Sequence, residues 1–585
     1  MSLGAQKFVS DGFTGLPEGV DSRRAPSALS TGQAAWLINT TTRDGYLRPR
    51  PGWKKVPLTF KGNFNVDASM VQANFESGGF FNGASEYIGE NGDGHLFVVV
   101  EGHHFVIRWP GPTVDEITIP NIAGRDCPTG LRRWFAQAER SLIIQNGIDA
   151  ALIYNGSRLR RAVASLREVP TGTVMEYALG RLWVALPGGN AFVAGDLVFS
   201  DGTEEAALKF TENEVINEGG AFGVPSALGQ ITALRSVATP DTTLGQGPLQ
   251  VFTRRAAFSL NPPFDRTQWK NWPAPIQTVS LLTYGALAQA SAVNVNGDIW
   301  YRAEDGIRSF QLGRRDWGSW VNTTMSSEIN RLLDYDSRNM LEYSSGVVFD
   351  NRLLMTSAPR RSVPAQSSSR GVVHDRLAVL NFDPSSGVLN RTSPVWEGEW
   401  SGLPILQILK AGIQGEEHCF LFVLNEITNQ NELWELSRNH PFDSDTTRIA
   451  WSVESRALGF PDKGWQLKEL VGAELWLDEL RGTLDIDVDW KSDQHNDWQN
   501  WHNWTETGPA CVAVPSCTPV CFGAGQYRSR KRLPRPLDAC DATNQKPFSR
   551  AYEFQARLNF TGVGRLKRLR LRAHELDETE IGDCP

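Results

Sequence analysis

The sequence predicts an all-β protein: a β-propeller of six to eight blades, led by an extended N-terminal strap and followed by a β-sandwich. Three observations carry that expectation. Short apolar runs punctuated by Gly and Asn-Gly recur along most of the chain, and most have a companion strand a few residues later. The composition is rich in aromatic and turn-forming residues, with 20 Trp, 28 Phe, 54 Gly and 32 Pro against 6 Met. Aromatic strands separated by turn formers are the pattern of all-β folds. After about residue 455 the texture changes to clean alternation of apolar and polar residues, as in strands with one wet face.

Residues 1–60 carry little periodicity but a high density of Pro and Gly, notably from Arg43 through Pro51, Gly52 and Trp53. Such a stretch reads as an extended, turn-rich strap. Residues 61–455 hold the blade-like units. Their very apolar strands are Gly94–Val100, Ser141–Gln145, Gly180–Leu186, Pro248–Thr253, Gly297–Tyr301, Asn351–Thr356, Asp375–Leu380 and His418–Val423. Companions follow at Phe105–Trp109, Ala151–Tyr154, Ala257–Leu260, Gly306–Phe310 and Glu432–Leu436. A hairpin that cannot bury both faces alone is stabilised by stacking on its neighbours, which leads to a propeller. Two interruptions are expected: a short helix capped by Ser326 over Ser326–Leu333, and an exposed, mobile loop over Arg360–Arg370. Residues 456–585 contain alternating strands at Leu470–Leu477, Gly482–Trp490, Ala551–Leu558 and Arg565–Arg572, which suggest a separate sandwich with a Cys-rich loop.

At 585 residues the chain is long for one core, so more than one domain is expected. The net charge of −8 gives no global attraction to nucleic acid, which normally needs a basic stripe. Basic runs exist at Arg158–Arg161, Arg528–Arg532 and Arg565–Arg572. The last alternates with Leu, as a half-buried strand would, so a solvated strand face or subunit contact is favoured over DNA binding. No segment approaches the ~20 apolar residues of a transmembrane helix. The N-terminal residues lack a signal-peptide pattern, so synthesis and retention in a cytoplasm are expected. Five of the seven cysteines, Cys511, Cys517, Cys521, Cys540 and Cys584, fall near the C-terminus. Their spacing matches no paired zinc motif, and disulfides, a structural zinc clip and free thiols all stay open. Cys127 and Cys419 are expected as buried thiols in the propeller.

The strap, with Asn39, Arg43, Gly45, Arg48 and Pro51-Gly52, resembles the opening of tail nozzle (tail-stabilisation) proteins of short-tailed phages. The middle is similar as well: Phe199-Ser-Asp-Gly202, Phe210, Glu218–Phe222, Gly229–Leu234, then Asn296-Gly297 and Glu304–Ile307. The resemblance spans most of residues 15–450. It implies a virion tail subunit, one of six in a ring below the portal and head-tail adaptor proteins, with tail fibres or a tail needle as further partners. Such a ring would retain the genome and conduct double-stranded DNA during ejection. On that reading the strap docks on a neighbour or adaptor, and Arg43, Arg48, Arg50 and Trp53 are candidate assembly contacts, because Arg and Trp dominate interface energetics. The competing expectation is that they tie the strap to its own first blade. Six copies would carry roughly −48, so a lumen of that sign would let DNA slide without sticking.

Catalysis finds no support in the sequence. Sialidase-type propellers carry Ser-x-Asp-x-Gly-x-Thr-Trp turns, and Ser200-Asp201-Gly202 is only a compressed fragment that a β-turn explains. Glu397, Glu399, Asp493 and Asp497 could be drawn into a glycosidase pair, but nothing sets two at the needed separation. The cluster of Asp493, His495, Asp497 and His502 fits no strong metal-ligand spacing. No nucleophile elbow, P-loop or dinucleotide fingerprint is present. No cofactor is expected beyond the zinc alternative. A host-surface glycan-binding fibre or adhesin is the alternative function, its Trp residues serving as sugar-stacking platforms.

Overall fold

The computed structural model describes residues 8–576 apart from 63–65, 120–129, 212–220, 238–246, 264–265, 272–276, 279–283, 311–323, 363–369, 384–393, 439–441, 445, 462–463, 494, 509–527 and 537–547. The five C-terminal cysteines, Cys127 and the tip of the Arg360–Arg370 loop lie outside the described residues.

The described strands form seven blades. Blades 1 to 5 are successive antiparallel meanders whose innermost strands are Phe81–Ile88, Trp134–Ala138, Met175–Ala178, Ile231–Ser236 and Val293–Val295. Blade 6 starts at Gly346–Phe349 and continues through Arg352–Arg361 and Val372–Asn381. Its fourth strand is the first half of a 19-residue strand, Val395–Ile413, whose second half becomes the inner strand of blade 7. The apolar runs seen in the sequence are the second strands of the blades. Eight runs give seven blades because Asn351–Thr356 and Asp375–Leu380 are the two middle strands of one blade.

Blade 7 is completed from the far end of the chain. Its sheet runs through Glu416–Asn425 and Gln430–Ser437 to Gly52–Lys55, which pairs antiparallel with Trp434–Ser437. The chain then lays Thr59–Lys61 parallel to the outer strand of blade 1, Thr113–Ile117. A ten-residue helix, Ala68–Ser77, follows and buries Val71 and Phe75; its weak apolar periodicity hid it from the sequence reading. The strap is thus woven into several sheets. The short helix at Ser327–Leu333 forms as expected, but the Ser326 hydroxyl does not cap it. That oxygen accepts from the Ile307 N–H at 2.8 Å, tying the helix to blade 5.

The C-terminal unit begins at Ala450–Ser455, a few residues earlier than expected. Two long strands, Lys468–Ser492 and Phe554–Glu575, pair along their whole length and bend in the middle, so each crosses both layers of a sandwich. One layer adds Phe8–Thr14 and Ser529–Leu533; the other adds Gln499–Thr507, Ala450–Ser455 and Ala34–Ile38. Leu475, Leu484, Val488, Leu558 and Leu571 fill the space between. Ala34–Ile38 pairs with Ser452–Ser455 and also touches Glu399 of blade 6, so blades 6 and 7 and the sandwich share one 15-stranded sheet. The approach is close at Gly398, where a Cβ would sit 2.3 Å from the Leu37 carbonyl oxygen.

Three buried or half-buried histidines set an acid limit on this fold. Burial pulls His95 and His374 down to about 4 and His104 to about 3; neighbouring Arg108 lowers His95 further, and Arg133 lowers His104. Each is neutral when folded and protonates near 6.5 when unfolded, so the unfolded chain binds more protons between those values. Stability should therefore fall as pH drops below about 6.5, by roughly 1.4 kcal/mol per unit for each such histidine, down to about pH 4. Urea denaturation at pH 7, 6 and 5 measures this, and His374→Gln should flatten the slope by about a third.

Candidate functional site

The strap residues singled out in the sequence converge at the junction of strap, blades 6 and 7, and sandwich. Arg50 is 1% exposed. Its guanidinium donates two hydrogen bonds to the Asp443 carboxylate, at 2.8 and 2.7 Å, a third to Asn39 Oδ1 at 2.9 Å, and others to the carbonyls of Pro51 and Ser401. Asn39 sits at φ +50°, and its amide also donates to the Ala450 carbonyl and accepts from the Ser401 N–H. Asp443 accepts from the Trp53 N–H, while the buried Trp53 ring packs edge-on to Trp400. These residues fix the start of the strand that closes blade 7.

A second polar network lies beside it. Glu397 is wholly buried, yet its carboxylate accepts from the Thr41 hydroxyl, the Thr42 N–H, the Asn381 amide and Arg352 Nε. Arg352 also pairs with Asp350 at 2.6 Å, and Arg43 pairs with the same carboxylate at 2.8 Å. Burial and the charge of Arg352 lower the Arg43 pKa against the pull of Asp350. A buried charge with this many donors is held by the geometry of its partners.

Arg43, Arg50 and Trp53 are therefore spent within the chain, and they hold the strap to the last two blades instead of the first. Arg48 is half-buried and lines a hollow of about 270 Å³. This cleft is walled by the strap, by Asp350 and Arg352 of blade 6, by Arg438 after blade 7, and by the sandwich bend. The bend is a register shift between Asp478 and Asp485, with Glu479 and Gly482 at positive φ, and it brings Glu479, Arg481 and Arg565 to the cleft. Seven arginines and two carboxylates line it. Arg438 and Arg481 escaped the sequence reading, and Arg565 was read only as part of a strand, because all three are hundreds of residues away from the strap.

Two further features have a functional look. A hollow of about 380 Å³ sits among the inner strands of the propeller, lined by Glu86, Arg132, Arg133, Arg235 and Lys410 among others. On the sandwich, Leu569 and Leu571 point inward while Arg568, Arg570 and Arg572 point outward, as the alternation predicts, and a register shift at Lys567 keeps Leu566 buried as well. Arg530 and Arg532 join them, with Arg530, Arg532 and Arg572 gathered over the buried Glu474 and the Trp476 ring between Arg530 and Arg568.

Three of the four carboxylates weighed for catalysis have structural partners, and the fourth, Asp497, is exposed. Glu397 is buried as above, Glu399 pairs with Arg376 at 2.6 Å, and Asp493 accepts from the Tyr552 N–H. Asp201 accepts from the backbone and hydroxyl of Thr203 within its turn. Among the described residues no group of three or more His, Cys, Asp or Glu is placed to hold a metal ion, and no helix is long and apolar enough to cross a membrane. Cys419 is buried, as expected, and burial raises its thiol pKa.

The fold and junction define a β-propeller protein with an intimately fused C-terminal sandwich. No protein family and no curated protein matches the chain. Among solved structures it is similar to the BBS1 N-terminal domain in complex with ARL6 (9% identity, TM-score 0.31, covering 61% of this chain and 92% of that one). It is also similar to YCF48 bound to a D1 peptide (9%, 0.32, 66% and 94%) and to BamB from Moraxella catarrhalis (7%, 0.31, 61% and 83%). At these scores the likeness assigns no function, and the propeller rests on the sheet topology itself.

Removing the fork that anchors the closing strand should be costly. Arg50→Ala leaves Asp443 and Asn39 short of their partner and is expected to destabilise by on the order of 3 kcal/mol. Arg50→Lys should recover less than half of that, because a point ammonium cannot reproduce the bidentate pair. Chemical denaturation of the three proteins checks both.

Proposed function

We propose that this protein is a structural subunit of a phage tail nozzle, present in the virion tail as a closed ring, most simply of six copies. In that role the ring lies below the portal and adaptor, meets fibres or a needle distally, retains the genome and conducts DNA at ejection. The observation that supports it is the continuity of the fold at the strap. The residues carrying the resemblance, Asn39, Arg43 and Arg48 through Gly52, lie between the Ala34–Ile38 strand, which joins propeller to sandwich, and the Gly52–Lys55 strand, which closes blade 7. A unit stitched this way resists shear between its parts, as a load-bearing tube wall requires.

With Arg43, Arg50 and Trp53 engaged internally, the assembly contacts move elsewhere in this reading. The outward arginines of the sandwich, Arg530, Arg568 and Arg570, are the proposed replacement. Arg is enriched at interfaces, and Trp476 lies flat among them.

Mass photometry of the purified protein, followed by electron microscopy, tests this reading. The expected result is a closed ring near six subunits that Arg568→Glu/Arg570→Glu dissociates without lowering monomer stability. A protein that stays monomeric at micromolar concentration, or a glycan-binding trimer, would overturn it in favour of the adhesin.

A further inference from the structure

We infer that the arginine cleft at the junction is a binding site for a compact polyvalent phosphate, of the di- or triphosphate class. This inference is independent of the tail-nozzle reading.

The cleft is a real hollow of about 270 Å³, and its lining is heavily weighted to cations. Two of its arginines are not held by a carboxylate at short range: Arg438, which lies over the Phe349 ring at 4.7 Å, and Arg481. Arg438 is half-exposed, and its nearest carboxylate is Asp350 at 3.6 Å, which Arg43 and Arg352 already hold at shorter range. Arg481 is exposed and makes no hydrogen bond or ion pair among the described residues. These two come from different bodies, Arg438 from the end of blade 7 and Arg481 from the sandwich bend. Arg565 stands beside Arg481, steadied by Glu479 at 2.6 Å and by the Tyr46 ring.

Guanidinium forks approaching one hollow from several sides suit tetrahedral oxyanions better than a single planar carboxylate. The separation of the donors between propeller and sandwich favours a ligand with more than one phosphoryl group. Such a ligand would bridge the two bodies and offset the mutual repulsion of the arginines. Because it binds the folded junction and not the unfolded chain, it should raise the melting temperature.

Isothermal titration calorimetry and thermal melts with inorganic pyrophosphate and tripolyphosphate test the inference, with sulfate and inorganic phosphate at matched ionic strength as comparators. Saturable binding of the polyphosphates, with a rise in melting temperature, is expected. Arg438→Ala/Arg481→Ala should weaken it by roughly tenfold or more. Neither side chain holds the strap or a buried acid, so the melt of this variant without ligand should stay close to the parent, lowered only by the lost Arg438 contact with Phe349. A nucleoside triphosphate that binds as tightly as tripolyphosphate would identify the phosphate chain as the recognised part. Tighter binding of the nucleotide would identify a nucleotide as its source. The inference fails if no saturable binding occurs at millimolar polyphosphate, if the double variant binds equally well, or if sulfate and monophosphate compete on equal terms.

Discussion

A propeller must close its ring without a covalent tie, and here the whole molecule depends on how that closure is made. Four residues, Gly52–Lys55, supply the outer strand of blade 7, so the first part of the chain completes the last blade. Four backbone pairs are a weak link taken alone, and a strand at a sheet edge frays readily. What fixes this one is the group of side chains just before it. Arg50 ties the entering chain to Asp443 and Asn39, and Trp53 sinks between the two sheets beside Trp400. The same short segment thereby locks the ring and joins it to the sandwich, since Asn39 directly follows the strand that continues into the C-terminal layer.

The joints between blades face a related difficulty. Inner strands of neighbouring blades diverge, so their backbone groups cannot pair with each other as a ladder, and buried N–H and C=O groups left alone are costly. Glutamine side chains solve this at several joints. Gln407 of blade 7 accepts from the Ala84 N–H and donates to the Ala84 carbonyl of blade 1. Gln137 of blade 2 does the same at Ile88, and Gln289, ahead of blade 5, does so at Leu234 of blade 4. A primary amide offers one donor edge and one acceptor, so it imitates a passing strand without needing its register. Each such clamp couples one blade to the next and makes relative sliding costly.

How much of this was legible depended on whether the cause was local. The second strand of each blade is buried on both faces, so runs such as Gly94–Val100 and Ser141–Gln145 stand out and were placed to the residue. The alternation from Leu566 to Ala573 fixed which arginines face water. The strap was different: Phe8–Thr14 and Ala34–Ile38 earn their strand character by pairing with residues far along the chain, in blade 6 and the sandwich. Ser326 had the local pattern of a helix cap, yet tertiary contact diverted its hydroxyl to Ile307. The strap arginines were singled out as assembly contacts, but the partners that Arg43 and Arg50 have within the chain, Asp350 and Asp443, had no sequence signal pointing to them. A buried carboxylate becomes visible only when the fold surrounds it with donors.

Charge is the property for which a whole-chain number misleads most here. A net −8 implies weak global attraction to any polyanion. Exposed charges, however, act over a Debye length of about 8 Å in physiological salt, so each surface is felt by what lies against it. The fold sorts arginines into the junction cleft and onto one outer layer of the sandwich, while Asp485, Asp487 and Asp489 project from the other layer, where Thr505, Asn500, Arg448 and Arg557 meet them. That sorting follows from the bend in the two long strands. The bend turns each strand's alternating polar side toward a different exterior, so a run of Arg and a run of Asp on paired strands come to face opposite ways.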